Sequence, residues 1–326
     1  VAARYGDTLT AFDVGRRNPY SQQWQFSIQR ELPSHMVVEA AYAGMLSLKQ
    51  LESFNLNEKP DQYIALGAAE NTAVRNPFLG ILPATSSLGQ GATKPQRQFW
   101  LRYPQYTSLT TEGVNTGRAI YHALQMRVEK RMTGGLTAHW TYTFSKLIDN
   151  NTTSIVNERH YRTVSSLDLK HVMRLSFVYD LPFGPGKSLG SGLSGVLARL
   201  VEGWSLSGFF NARSGAPLSI AHTNGRPLRL RNAALSGDVA GRLGGTRDPV
   251  TGRVLNPYFD ITAFAPSPTQ YWVSPEPPVL DELRGPGALG RNLSLSKNVR
   301  IWERLKLQLR CEATNFTNSP SWGNPG

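Results

Sequence analysis

An all-β fold of about eight long antiparallel strands is predicted by three observations. Apolar residues recur at every second position in about eight separate runs. Short and long links alternate between those runs. The 326 residues hold 30 Gly and 21 Pro but only 18% charged residues, which is turn-rich and charge-poor for a soluble domain.

The first run sets Trp24, Phe26 and Ile28 against Gln23, Gln25, Ser27 and Gln29 and breaks at Leu32-Pro33-Ser34; the second, Met36 to Gly44, returns after that turn. The third places Leu124, Met126 and Val128 against Gln125, Arg127 and Glu129, then ends at Thr133-Gly134-Gly135, a hairpin signal. The fourth is the clearest: Leu136, Ala138, Trp140, Tyr142 and Phe144 alternate with Thr137, His139, Thr141, Thr143 and Ser145. Leu175, Phe177, Tyr179 and Leu181 against Arg174, Ser176 and Asp180 make the fifth. Trp204, Leu206 and Phe210 against Ser205, Ser207, Asn211 and Arg213 make the sixth. The seventh, Asn292 to Ile301, carries Lys297 on its apolar side, where a lysine near a strand end snorkels. The eighth alternates Leu305, Leu307, Leu309, Cys311 and Ala313 with Lys306, Gln308, Arg310, Glu312 and Thr314, after the short turn Trp302-Glu303-Arg304.

Links after the first, third and seventh runs are a few residues, and those after the second, fourth and sixth are about 20 to about 75. The link after the fifth, Pro182 to Gly203, is intermediate and contains an apolar stretch, Leu193 to Val201, with the character of a short helix. Outer-membrane barrels sort short turns to the periplasmic end and long loops to the outside, and tilted strands of about ten residues cross the hydrocarbon layer. The opposite faces are aliphatic or aromatic on one side and Gln, Ser, Thr, Asn, Arg and Glu on the other, which suits lipid outside and water inside. The fold class expected is therefore a portion of an antiparallel transmembrane β-barrel. No apolar run reaches about 18 residues, so a spanning helix is excluded, and the first residues carry no signal peptide. The chain reads as mid-protein sequence, a fragment with 1–326 as one barrel segment.

A formal net charge of +12 fits any anionic partner and selects none. The lone cysteine, Cys311, allows no internal disulfide and no Cys-based zinc site. Pro185-Gly-Lys-Ser188 lacks the first glycine of a phosphate loop, whose place Leu181 holds, and reads as a turn. Gly190-Ser-Gly-Leu-Ser-Gly195 lacks nucleophile-elbow spacing. None of the six histidines has metal spacing; His160 and His171 flank a loop and His139 faces the lumen. An enzyme is not expected, nor a cofactor or bound metal.

The candidate binding residues are of two kinds. Gln125, Arg127, Glu129, His139, Arg174, Asp180, Arg213, Arg310 and Glu312 should face the lumen, where opposite charges form ladders across strands. Trp100, Arg102, Tyr103 and Tyr106, with Tyr271 and Trp272, mix aromatic and basic character in outer loops and suit ligand capture or loop packing. The basic run Arg226 to Arg231 in another outer loop suits lipopolysaccharide phosphates better than nucleic acid, which is not an expected partner.

An ordered series of segments carries a resemblance. Asn18-Pro-Tyr-Ser-Gln-Gln-Trp24, Val38-Glu-Ala-Ala-Tyr-Ala-Gly44, Tyr121-His-Ala-Leu-Gln-Met-Arg127 and Tyr142-Thr-Phe-Ser-Lys146 are similar to the barrel of Oar-like TonB-dependent receptors. So are Leu181-Pro-Phe-Gly-Pro-Gly-Lys187, Gly203-Trp-Ser-Leu-Ser-Gly208 and Arg310-Cys-Glu-Ala-Thr-Asn315, then Asn318 and Gly323-Asn-Pro-Gly326. The resemblance covers nearly all of the chain except its long loops. It implies an outer-membrane location, a large barrel bounded by lipid and lipopolysaccharide, a plug domain, uptake of a bulky solute and a TonB-type energy-coupling partner. The plug, the TonB-contacting segment and the aromatic-ended terminal strand of that family are not expected within these residues. Two rival expectations stand beside it: an outer-membrane structural or surface-interaction protein without transport, and a secreted carbohydrate-binding β-sandwich.

Overall fold

The computed structural model describes residues 5–220, 227–235, 249–252, 257–265, 273–302 and 305–324. Ten strands form one sheet. They are β1 (Thr8–Phe12), β2 (Tyr20–Leu32), β3 (Met36–Asn55), β4 (Ser108–Thr133), β5 (Leu136–Ser154), β6 (Arg159–Val164), β7 (His171–Asp180), β8 (Trp204–Arg213), β9 (Ala288–Trp302) and β10 (Leu305–Thr314). The spatial order β10-β9-β8-β7-β5-β4-β3-β2 is an antiparallel meander; β1 joins β4 in parallel and β6 joins β5. Each of the eight apolar runs lies on one strand of this path.

Register puts the alternation of every strand in phase with its neighbours. Leu124 pairs with Tyr42 and Phe144, Trp140 with Val128 and Leu175, and Leu206 with Tyr179 and Leu295. One side of the sheet is thus predominantly apolar, and no second sheet covers it among the described residues. Phe26 is 67% exposed and Leu309 57%. A two-sheet sandwich would bury such a face against its partner sheet, so the secreted β-sandwich reading is overturned. From Leu136 to Phe144 the apolar face runs about 27 Å along β5 at ~3.4 Å per residue, which at a tilt of ~40° supplies roughly 21 Å of height. Flanking aromatic and histidine rows extend this toward the ~25 Å apolar band of an outer-membrane barrel.

Two such rows are visible at the long-loop end. The Tyr42 hydroxyl lies 2.7 Å from His122 Nδ1, and the Tyr142 hydroxyl 2.8 Å from His171 Nδ1. Trp24 and Phe144 pack edgewise or tilted on those imidazoles. Rings with one apolar and one polar part belong at the boundary between lipid and water.

Above this boundary β3, β4 and β5 continue far past the length a membrane needs, reaching 20, 26 and 19 residues. The turns Leu32 to Met36 and Thr133 to Leu136 lie at the opposite end, with the helix α1 (Gly195–Val201) in the intermediate link. Glu303 and Arg304, expected in a short turn between β9 and β10, lie outside the described residues.

Candidate functional site

The candidate site is the polar side of the sheet. All nine residues expected there share that side, because residues two apart on a strand and directly paired residues on neighbours point the same way. One register row runs Glu39, Arg127, Thr141, Arg174, Asn211; the next runs Glu129, His139, Ser176, Phe209. Gln125 and Arg213 stand one row toward the loops, and Asp180, Arg310 and Glu312 stand toward the short turns. Glu39, Gln125, Arg127, Thr141, Thr143 and Arg174 line a shallow cavity of about 290 Å³ on this wall.

The charge ladder differs from the cross-strand expectation. Arg127 Nη2 is 2.6 Å from Glu129 and Arg131 Nε is 3.3 Å from the same carboxylate, both along β4. Arg310 likewise reaches Glu312 at 3.2 Å along β10. On this wall, among the described residues, only the pair Arg127 and Glu39, at 3.9 Å, crosses between strands. Side chains two apart on one face are ~7 Å apart at their Cα atoms, well within the reach of an arginine. Arg174 has no carboxylate partner among the described residues, and neither has Arg213. Glu39 was not among the residues singled out from the sequence. Its opposition to Arg127 depends on a register set across a loop of some 50 residues, and no local signal carries that.

At the other end the long links fold into a cap. In the first, Trp100 is 9% exposed and its ring stacks on Tyr63 at 5.3 Å, so it holds the loop together. Tyr106 packs on Tyr5 at 5.7 Å, while Arg102 is exposed with its guanidinium 5.9 Å from the Tyr103 ring. Tyr271 and Trp272 lie outside the described residues. Buried Asn57 bridges the loop, accepting from the Tyr103 amide and donating to the Tyr106 carbonyl.

The link between β8 and β9 builds a small core of its own from Leu218, Ala233, Ala263, Leu280 and Leu283. Its basic run is largely neutralised: Arg229 pairs with Glu282 and Glu276, and Arg231 with Asp260, while Arg226 lies outside the described residues. The hydrogen bond from Arg229 to Glu282 raises the guanidinium's pKa further above its usual value. Arg229 and Arg231 are thus engaged within their own loop, with the Arg231 side chain still half exposed.

The three loops are tied to each other. Ser154, the last residue of β5, and Arg159, the first of β6, reach Glu58 and Asp61 of the first loop. Asp168, 1% exposed, binds Arg284 of the third loop, and Lys146 at the top of β5 binds Asp281.

A family model described as an outer membrane beta barrel domain matches residues 1–326. Among solved structures, the outer membrane transporter YddB from Escherichia coli is similar, with a TM-score of 0.44 and 10% identity over 96% of this chain and 30% of that one. FpvAI, in its complex with pyocin S2, is similar with a TM-score of 0.40 and 8% identity over 93% of this chain and 24% of that one. The chain thus spans less than a third of either structure's length. A sequence comparison with curated proteins gave no match.

Proposed function

The chain belongs to the outer membrane beta barrel domain family and lies in the bacterial outer membrane, and on that premise we propose that it forms the wall of a TonB-dependent receptor-like barrel. In this reading its loop cap and polar wall bind a bulky solute and admit it past a plug outside these residues, bounded by lipid and lipopolysaccharide. A TonB-type partner supplies the energy, and the barrel performs no covalent chemistry. The observation that carries the reading is the wall itself: nine polar and charged side chains in phase on one side of a sheet whose other side is apolar. The resemblance of the strand-and-turn segments to Oar-like receptors supports the same reading.

One observation favours a second reading, a surface-interaction barrel that transports nothing. The cap spends its arginines and Trp100 on holding itself together, as a displayed structure would.

The test is solute depletion by wild-type cells, a deletion strain and its complement, with ferric chelates, corrinoids and oligosaccharides offered in turn, with and without a protonophore. Saturable, protonophore-sensitive depletion restored by the complement supports uptake. Unchanged depletion of every solute, with altered cell adhesion, rejects uptake in favour of display.

A further inference from the structure

The short-turn end of the sheet carries a feature that solute uptake does not use. In the link between β7 and β8, Leu193, Val196, Leu197, Leu200 and Val201 recur at helical spacing, and α1 occupies Gly195–Val201. The resulting apolar stripe is not packed on protein: Val196 is 75% exposed, Leu197 62% and Leu200 58%, while Ala198 turns inward and is buried. A helix of two turns has no stability of its own in water, so something must hold it.

The fastening is at its C-terminal end. Lys297 Nζ donates to the carbonyl oxygens of Leu200, at 2.7 Å, and Glu202, at 2.9 Å; Trp204 Nε1 donates to the same Leu200 oxygen at 3.1 Å. The ammonium also lies 4.8 Å from the Trp204 ring centre. A cation against the last carbonyls complements the helix dipole. This explains the lysine on an apolar strand face: it is 7% exposed and caps α1 instead of snorkelling to water.

Trp204 and Lys297 are a direct cross-strand pair on the apolar, lipid-facing side, two residues beyond the pair Leu206 and Leu295 toward the short turns. The helix is therefore attached to the lipid-facing surface at the short-turn end of β8, while the apolar face continues on β9 and β10 through Val299 and Leu307. Exposed Arg199 adds positive charge on the helix itself.

We propose that α1 is an in-plane anchor seated in the periplasmic leaflet of the outer membrane. Val196, Leu197 and Leu200 enter the acyl-chain boundary, and Arg199 meets phospholipid phosphate. Continuity with the lipid-facing band selects lipid as the occupant, and an amphipathic, cationic helix is the form that interfacial anchors take.

The test uses the full-length protein with Cys311→Ser, which removes the lone thiol, and Leu197→Cys carrying an environment-sensitive fluorophore. It is reconstituted in vesicles of phosphatidylethanolamine and phosphatidylglycerol. A parallel label at Leu309→Cys on the apolar face reports barrel insertion, so a failed barrel is distinguishable from a failed anchor. The expected result is blue-shifted emission at position 197, quenched several-fold more strongly by lipid spin-labelled near the headgroup than by aqueous iodide. Aqueous-like emission quenched by iodide, with position 309 inserted, overturns the proposal. With Arg199→Gln, the blue shift should lose its dependence on phosphatidylglycerol. Retained dependence overturns the phosphate contact.

Discussion

The guanidinium of Arg284 lies 2.7 Å from the carboxylate of Asp168, although 116 residues separate them in the chain. The other oxygen of that carboxylate accepts from the Leu147 amide at 2.6 Å, so one buried side chain joins the top of β5 to the third loop. Removing one partner of a buried pair costs about 3–5 kcal/mol, because the other charge is left without compensation. Asp168→Ala should therefore open the cap without unfolding the sheet. Hydrogen exchange in residues 273–284 should accelerate by about a hundredfold or more, since each ~1.4 kcal/mol is a factor of ten, while β5 and β7 keep their protection. Unchanged exchange would mean that the loop's own core, not Asp168, holds it down.

Acid should loosen the same cap within a defined window. Burial pushes the Asp281 carboxyl up, but the Lys146 ammonium and the Arg284 guanidinium outweigh it and hold the group below the usual carboxylate range. Asp260 is lowered too, first by the Thr262 hydroxyl and then by Arg231. A depressed folded-state pKa contributes stability that is complete above the unfolded value, ~3.9 for aspartate, and is lost as pH falls through the lower folded value. Protection of residues 273–284 should accordingly be flat from neutral pH to about 5 and decline only below about 4. Asp281→Asn should weaken docking already at neutral pH and shrink the acid response. A decline centred near pH 6 would point instead to a histidine.

How much of this was legible in the sequence depends on whether the signal was local. The eight main strands, the phase of their faces and all nine wall residues follow from alternation within each run, and the runs on β2 and β3, and on β4 and β5, are joined by turns short enough to make them neighbours. β1, β6 and the upper part of β4 were not legible. Above the lipid neither face must be apolar, and Thr110-Thr-Glu-Gly-Val-Asn-Thr-Gly117 shows no alternation. The pairs Glu39 with Arg127 and Asp168 with Arg284 close only once long loops have folded. Lys297 was visible as an anomaly, but its partners are two backbone carbonyls that no side-chain pattern announces.

Gly208 marks a tight place in the lipid-facing wall. A Cβ there would come 2.5 Å from a ring carbon of Phe177 and 3.0 Å from Leu293, on the two neighbouring strands. Gly208→Ala should thus displace the ring and cost about 1–3 kcal/mol, the usual range for overpacking. Gly290, on the polar side of β9, has only the Asn211 carbonyl oxygen nearby, at 3.9 Å, and Gly290→Ala should be nearly neutral. The temperature at which the folded gel band is lost separates the two: a clear fall for the first variant and little change for the second. Equal falls would place the constraint in the backbone and not in Phe177.

On the polar wall, stability and function should separate. Arg127 is half exposed in its pairs with Glu39 and Glu129, and exposed pairs contribute about 0–1 kcal/mol. Arg174, two strands away in the same register row, has no carboxylate partner among the described residues, with Thr141 between the two arginines. Neither Arg127→Ala nor Arg174→Ala should move the melting temperature appreciably. Both remove positive charge from the path that an anionic solute would follow, where a wall of one sign raises the local concentration of its counter-ion. Uptake of an anionic solute should fall several-fold in each variant and further in Arg174→Glu, with uptake of a neutral solute of similar size unchanged. A lowered melting temperature with unaltered uptake would make the row structural. Equal losses for charged and neutral solutes would show that the side chains act by shape and not by charge.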